Sequence, residues 1–308
     1  MTHPHRAMRA MRAYDADPAN LRYDTVPVPD PGPGEVLVQV QATAVTADEL
    51  TWPETWPAIP CHDMSGVVAG TGPGATTWKE GDEVFGLVGF DRPGAAAEYT
   101  TIPTADLAAK PVTTGYAAAA ALPLGALTAW QALHDHAELR PGQHVLVHGG
   151  AGGVGGYAVQ LAAIHGAHVT ATCSARDAAY VANLGAAAVI DYTGRFEDQV
   201  REVDVVIDPV GGSMMTRSWP VLRAGGILVA IAEEPDGQGG RDDVRSQFFV
   251  VTPSGEQLGE LARLADGGQL YAAVSAVFGL GSLPDAFAGQ RARQKPGKVV
   301  VEVGQHSG

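Results

Sequence analysis

Two groups of residues in this chain have the types and spacing to do chemistry. The first lies between His144 and Thr172. There Gly150, Gly152 and Gly155 fill the three glycine positions of G-x-G-x-x-G, with Ala151, Gly153 and Val154 between them. An apolar run, Val145 to Val147, enters the cluster, and Val159, Leu161, Ala162 and Ile164 follow it at helical spacing. A second apolar run begins at His168. Strand, turn, helix, strand is the order that separates a phosphate cradle from a glycine-rich turn that merely joins two elements. In such a cradle the first glycine permits the tight turn, the second lets backbone approach a pyrophosphate, and the third lets the helix pack on the strand. The amides that open the helix then face anionic oxygens with the positive end of its dipole. The chemistry predicted is the grip of a dinucleotide.

The residue that ends the second strand selects which dinucleotide. NAD-type sites place Asp or Glu there, ~20 residues on from the motif, to bond the ribose hydroxyls. This chain has Thr172, followed by Cys173, Ser174, Ala175 and Arg176. A missing carboxylate and a nearby arginine predict that Thr172, Ser174 and Arg176 take the ribose 2′-phosphate of NADPH. The alternative is an arginine that simply sits exposed at a helix start.

The second group is Cys61, His62 and Asp63, which at first sight resembles part of a metal site. Adjacent side chains in a strand point to opposite faces, however, and the only other cysteine is Cys173. Without a CxxC pair the chain has no four-cysteine zinc lobe, and a disulfide has no support. Nearby, Trp52 and Trp56 lie in a Pro-flanked loop. They offer either an apolar wall for a flat ligand or anchors for an irregular loop.

The rest of the chain must position these groups. With 308 residues, two domains of ~150 residues each are expected. Apolar residues are 45% and charged residues 18%, as in a globular protein. A net charge of −14 argues against a nucleic-acid surface, which needs a basic face. The N-terminal stretch carries Arg6, Arg9 and Arg12 with no apolar core behind them, so no signal peptide is read, and no run reaches the ~18 apolar residues of a membrane span. A cytosolic chain is the expectation.

From Leu21 to Gly34 turn residues dominate and lead into the alternating run Glu35 to Ala42, with further β segments at Ser65 to Ala69 and Glu83 to Val88. The texture changes near Tyr116, and Leu127 to His136 reads as helix. Buried-strand runs then recur at Ala187 to Asp191, Val203 to Asp208, Gly226 to Ile231 and Phe248 to Val251, which predicts a mostly parallel, doubly wound sheet. Gln257 to Leu264 reads as a helix ended by Gly267 and Gly268. The tail holds a β run from Leu270, a helix from Leu283 to Arg293 and a strand from Lys298 to Val303, and is expected to return to the first domain.

Taken in order, residues 26–38, 62–68, 81–86, 122–130, the glycine loop, 184–192 and 297–300 closely resemble the zinc-free quinone oxidoreductase (zeta-crystallin-like) branch of the medium-chain dehydrogenase/reductase superfamily, over nearly the full length. The resemblance implies an α/β chain with a doubly wound parallel-sheet (Rossmann) cofactor domain at 119–267 and a β-rich GroES-like substrate domain formed by 1–118 and 268–308. It implies Thr46 and Thr128 as the groups lining the nicotinamide ring and substrate, the candidates for catalysis, with Trp52, Trp56 and His62 in the substrate pocket. Val210 and Gly211 should lie below the ring. Phe248, Phe249 and Val250 should give backbone contacts to the carboxamide, although the two phenylalanines read equally as sheet core. Tyr192 should lie near the 2′-phosphate, and Lys298 should contact the cofactor phosphates or cap a strand. Relatives often carry their basic residue one position after Arg176, where this chain has Asp177.

Zinc-dependent relatives place a cysteine at Thr46, a histidine at His62 and a cysteine or acid near Leu124. Only the histidine remains, so no metal is expected. The implied activity is hydride transfer from NADPH to a quinone or an α,β-unsaturated ketone. The rival readings are a zinc-type alcohol dehydrogenase and a non-redox NADPH-binding tailoring or structural protein. A homodimer is expected, relatives pairing through edge strands of the cofactor domain, and Leu270 to Phe278 has an alternating pattern suited to that.

Overall fold

The structure is a computed structural model and describes residues 6–292 and 295–304. In chain order the first strands are β1 (Ala7–Arg12), β2 (Arg22–Pro27), β3 (Glu35–Val45), β4 (Asp63–Thr71), β5 (Glu83–Leu87), β6 (Tyr99–Pro103) and β7 (Leu107–Ala109). Helices α1 (Tyr116–Ala120) and α2 (Pro123–Trp130) follow, then β8 (His144–Val147), α3 (Gly155–Ile164), β9 (His168–Cys173), α4 (Ala178–Asn183), β10 (Ala188–Asp191), β11 (Val203–Asp208), α5 (Ser213–Ser218), β12 (Leu222–Ala230) and β13 (Arg245–Phe248). The chain closes with α6 (Gly255–Asp266), β14 (Val274–Gly279), α7 (Leu283–Ala292) and β15 (Lys298–Glu302). The last residue of the helix expected to reach Arg293 lies outside the described residues.

The chain forms two compact units, one of residues 1–124 with 252–308, the other of 125–251. The first is built on a seven-stranded sheet in the order β14-β15-β3-β4-β5-β7, with β6 on β3, and a separate β1-β2 hairpin. Alternation in β3 sends Val36, Val38 and Val40 into a core shared with Met64, Val84, Ile102 and Phe287. Topology matters most at one end of this sheet. β3 ends at Val45, β15 pairs antiparallel with it through Val299 opposite Val45, and β4 starts at Asp63 opposite Ala44. Thr46, Asp63 and Lys298 are therefore brought to one sheet end from three distant parts of the chain.

The second unit is a six-stranded, wholly parallel sheet in the order β10-β9-β8-β11-β12-β13. Counted within the unit this is the doubly wound order, which reverses between β8 and β11. Ligands of such sheets bind at the carboxyl ends of the strands flanking that reversal. Val145, Leu146 and Val147 in β8 and Val205, Val206 and Ile207 in β11 are buried, as strands covered on both faces require.

Four expectations need correction. The strand read from Phe248 to Val251 instead spans Arg245–Phe248, and Val250 is exposed. The helix read from Leu127 starts at Pro123 and widens into a π-helical turn over Gln131–His136. The helix around Gln257, capped by the Ser254 side chain, belongs to the first unit, whereas the sequence placed it with the cofactor domain. Its apolar face packs on β7, close enough that a Cβ on Gly255 would lie 2.3 Å from the Leu107 carbonyl oxygen. Period reveals which face of a helix is buried, not what it is buried against. Finally, β14 lies in the first unit, as the reading of the tail expects, and is an edge strand of that unit's sheet, parallel to β15, so its alternating pattern does not lie on an edge of the cofactor sheet, which ends in β10 and β13.

Candidate active site

The glycine loop stands at the sheet reversal. Gly149 takes the left-handed conformation, φ +59°, so the tight turn assigned to Gly150 is made one residue earlier. Gly150 is a packing position, because a Cβ there would press on Ala171 and Val181 at 3.0 and 3.1 Å. A Cβ on Gly155 would lie 2.2 Å from the Gly149 carbonyl oxygen, as the third glycine of the motif demands. Val154 precedes α3 and gives it no side-chain cap, so the amides of the first turn have no side-chain acceptor of their own from that position. An uncapped helix mouth behind a glycine-rich turn is an arrangement that fits a pyrophosphate.

Beneath the loop a buried relay holds the turn. The Gly149 N–H points to Thr172 Oγ1 at 3.4 Å, and Thr172 Oγ1 lies 3.0 Å from His148 Nδ1. His148 Nε2 lies 2.7 Å from Ser218 Oγ, which donates to the Met214 carbonyl at 2.7 Å. The chain of donors closes when His148 is neutral with its proton on Nε2. Burial holds it so, depressing its pKa to about 3. Thr172 is thus fully buried and supports the loop instead of facing a ribose.

At the far end of the loop Val210 comes close to the turn, since a Cβ on Gly149 would lie 3.2 Å from its Cγ2. Asp208, at the end of β11, accepts the N–H groups of Val210 and Gly211 at 2.9 and 3.0 Å, and Glu233 accepts that of Gly212 at 2.6 Å. Burial pushes the Asp208 carboxyl up, and its second oxygen has no hydrogen-bond partner among the described residues. Helix α2 also touches the loop: a Cβ on Gly125 would lie 2.3 Å from the Gly153 carbonyl oxygen. Thr128, one turn further along α2, is buried in the same unit. Phe248 packs into the sheet core, and Phe249 rests on the His136 ring at 4.2 Å. Both phenylalanines are half-buried, and Val250 beyond them is exposed.

The adenosine end is set by β9 and β10, where Cys173 and Asp191 are opposite and the Tyr192 N–H bonds the Cys173 carbonyl at 3.1 Å. Arg176 and Tyr192 are exposed there, with 61% of the Arg176 side chain open to solvent. Asp177 does not face outward. Its carboxylate accepts from Ser174 Oγ at 2.7 Å and lies 3.7 Å from Arg176 Nε, so it steadies the basic group without replacing a ribose-binding acid. Ser174, Arg176 and Tyr192 suit a 2′-phosphate.

In the first unit, Lys298 sits between Thr46 and Asp63. Its side chain is 5% exposed, and Nζ donates to Thr46 Oγ1 at 3.0 Å and lies 2.8 Å from Asp63 Oδ2. Asp63 Oδ1 accepts the Leu124 N–H at 2.6 Å. Behind Thr46 stands Glu49, fully buried, with Cys61 Sγ donating to it at 3.4 Å. Burial drives the Glu49 carboxyl up to about 8 against the pull of Lys298, and burial beside Glu49 also raises the Cys61 thiol well above its usual value. Cys61 is in the left-handed region at φ 68°, which turns its side chain away from His62 by a bend rather than by strand alternation.

His62 faces Phe90, with ring centroids 5.1 Å apart, and Phe90 meets Trp52 at 5.3 Å. His62 Nδ1 is 3.1 Å from the Val88 carbonyl, and burial lowers its pKa, so the ring is a neutral donor to that oxygen. The three rings line a cavity of about 940 Å³ together with Glu49, Ile59, Pro57 and Arg92. Trp52 and His62 are brought together as expected, while Trp56 is outside the ring cluster and is not part of the cavity lining. Phe90 was missed because a phenylalanine after a strand carries no signal of its own. Gly125, Gly149, His148 and Glu49 were also missed, although Gly125 stands three residues before Thr128, a helical spacing that could have flagged it.

A catalytic zinc needs about three protein ligands. Among the described residues no three His, Cys, Asp or Glu side chains are grouped to hold a metal, and an ammonium already occupies the space between Thr46 and Asp63.

Comparison with known proteins places these features in context. Residues 32–112 match the alcohol dehydrogenase GroES-like domain family, and residues 184–301 match the zinc-binding dehydrogenase family. The chain is 32% identical to a probable zinc-binding oxidoreductase, mitochondrial, of Arthroderma benhamiae, over 90% of this chain and 91% of that protein. It is 34% identical to an NADPH-dependent alkenal/one oxidoreductase, chloroplastic, of Arabidopsis thaliana, over 89% of this chain and 73% of that one. Among solved structures, the quinone oxidoreductase from Coxiella burnetii superposes with a TM-score of 0.89 at 28% identity, covering 97% of this chain and 100% of that one.

Proposed function

The chain belongs to the medium-chain dehydrogenase/reductase superfamily, and from that premise we propose that it is an NADPH-dependent reductase of quinones or α,β-unsaturated ketones that works without a metal. The observation that carries the reading is the Thr46 hydroxyl, engaged by Lys298 where zinc-dependent relatives present a metal-bound thiolate. A hydroxyl supplies a hydrogen bond, not a Lewis acid. That suffices for a conjugated acceptor, whose developing negative charge is delocalised, better than for an isolated carbonyl.

Bound NADPH supplies the hydride, and the protein supplies position and a donor for the acceptor's oxygen. The glycine turn and the mouth of α3 hold the pyrophosphate, and Ser174, Arg176 and Tyr192 hold the 2′-phosphate. The cavity walled by Trp52, His62 and Phe90 has room for a flat, largely apolar acceptor. The neutral His62 ring, tied to Val88, is part of that wall. The decisive experiment is stopped-flow NADPH oxidation against a panel of quinones and enones. Turnover is expected, and tight NADPH binding without turnover would favour the non-redox reading. Stoichiometric zinc in the purified protein would revive the alcohol dehydrogenase reading.

Cofactor choice gives a separate prediction. Arg176→Ala removes a charge-assisted contact worth about 1.5–3 kcal/mol, so NADPH should bind some ten- to hundredfold more weakly while NADH affinity stays within about twofold. Equal losses for the two cofactors in fluorescence titrations would place Arg176 elsewhere than at the 2′-phosphate. The same reading includes a homodimer, for which β13 offers an open edge, and a cytoplasmic location; sedimentation of the purified chain tests the first. Among the described residues no helix is long and apolar enough to cross a membrane.

A further inference from the structure

We propose that Thr46 and Lys298 form a proton-donating oxyanion site: Thr46 donates directly to the acceptor's oxygen, and Lys298 acts through Thr46 as its positioning and charging partner. This rests on the reductase reading above and adds the groups that complete its chemistry.

Four observations support it. Lys298 donates into the Thr46 oxygen at 3.0 Å, and among the described residues the Thr46 hydroxyl has no acceptor for its own proton. A hydroxyl that accepts from an ammonium becomes a stronger donor, since the cation withdraws charge from the oxygen. Lys298 and Asp63 are buried, whereas Thr46 is partly exposed, so Thr46 is the one member of the trio that an outside molecule can reach. Asp63 is pinned by the Leu124 amide and fixes the ammonium, and the buried carboxyl of Glu49 lies behind the Thr46 backbone. The site thus has a fixed cation, a relay atom and one outward proton, the arrangement needed where charge develops on oxygen.

The step balances as follows. A hydride and its electron pair arrive at the β-carbon of an enone, the carbon–carbon π pair shifts toward the carbonyl, and the carbonyl π pair moves onto oxygen. That oxygen takes the Thr46 Oγ proton, giving an enol that relaxes to the saturated ketone. Thr46 Oγ takes a proton from Lys298 Nζ, and the resulting amine regains one from water. A quinone takes the same hydride and proton to become a hydroquinone.

Two readouts test the site. In turnover at saturating NADPH and acceptor, Thr46→Val and Lys298→Met should each lower kcat about 100-fold, as loss of one oxyanion donor does. The double variant should be no worse than either single, and Thr46→Ser and Lys298→Arg should recover most of the rate. NADPH affinity should stay within about twofold throughout. The second readout needs no turnover. 4-Nitrophenol, an enolate mimic whose absorbance reports ionisation, should bind the wild-type protein as the phenolate in preference to the phenol, and both variants should lose that preference. Because Lys298→Met leaves Asp63 buried and unpaired, Lys298→Met/Asp63→Asn serves where the single variant does not fold.

Weakened NADPH binding in Lys298→Met with saturated kcat intact would make the lysine a phosphate contact and overturn the proposal. So would unchanged phenolate preference in both variants. The two readings fail separately. Phenolate preference that depends on Thr46, in a protein that turns over no acceptor, sinks the reductase and leaves the oxyanion site. Turnover that survives Thr46→Val sinks the site and leaves the reductase.

Discussion

Gly155→Ala should abolish useful NADPH binding, with affinity falling at least about 100-fold in a fluorescence titration. The added Cβ would meet Gly149 O at 2.2 Å, Gly149 C at 2.7 Å and His148 O at 3.0 Å. All three are backbone atoms, so no rotamer change relieves the contact. α3 must draw back from β8 or the turn at Gly149 must open, and either movement displaces the amides aimed at the pyrophosphate. Overpacking of this kind costs about 1–3 kcal/mol of stability besides. Gly156→Ala is the control one residue on. Its Cβ would meet Leu184 Cδ1 at 3.5 Å and the Gly150 carbonyl oxygen at 3.6 Å, both ordinary van der Waals contacts. It should bind NADPH normally and gain up to about 1 kcal/mol in stability from helix propensity. Equal behaviour of the two variants would show that the close approach at Gly155 does not shape the cradle.

The second large effect is on stability against pH, and it has opposite signs in the two units. Glu49 has its pKa raised to about 8, so its protonated form is the one the fold favours. Its contribution is fully present below the unfolded value near 4.3 and is lost as pH rises through about 8. His148 is depressed to about 3, so its contribution is present above the unfolded value near 6.5 and is lost as pH falls toward about 3. Alkali should therefore loosen the unit containing Glu49 first, and acid the unit containing His148. Glu49→Gln should flatten the alkaline limb, with a gain on the order of a few kcal/mol by pH 9, and leave the acid limb alone. Melting curves across pH 4 to 9, with hydrogen exchange to assign the unit, check both signs. An unaltered alkaline limb in Glu49→Gln would show that this carboxyl is not what drives it.

Several parts of this molecule were legible from residue order alone. The parallel cofactor sheet, the glycine turn and the helix behind it are local features. Strand runs such as Val203–Asp208, turn glycines and helical spacing after Val154 each act over a few residues, and a sequence displays them directly. The absence of a carboxylate at the end of β9 was equally plain, and so was the lack of zinc ligands at Thr46. Less legible were exchanges of duty between neighbours, with Gly149 taking the turn assigned to Gly150 and Thr172 turning inward to His148. Which of two adjacent residues faces a ligand depends on a dihedral angle, and that is set by packing beneath the loop.

Residue order alone supplied the list of parts: a glycine turn between strand and helix, an arginine where an acid would select NAD, a β-rich companion unit and a histidine without the rest of a metal set. The company those parts keep came from the folded chain. β15 lays Lys298 against the end of β3, 252 residues from Thr46 in the chain, with Asp63 of β4 beside it. The physical reason is that strand register is a long-range property. Hydrogen bonds between backbones fix which ends meet, backbones are the same for every residue, and so the meeting of a threonine, an aspartate and a lysine leaves no local mark on the sequence.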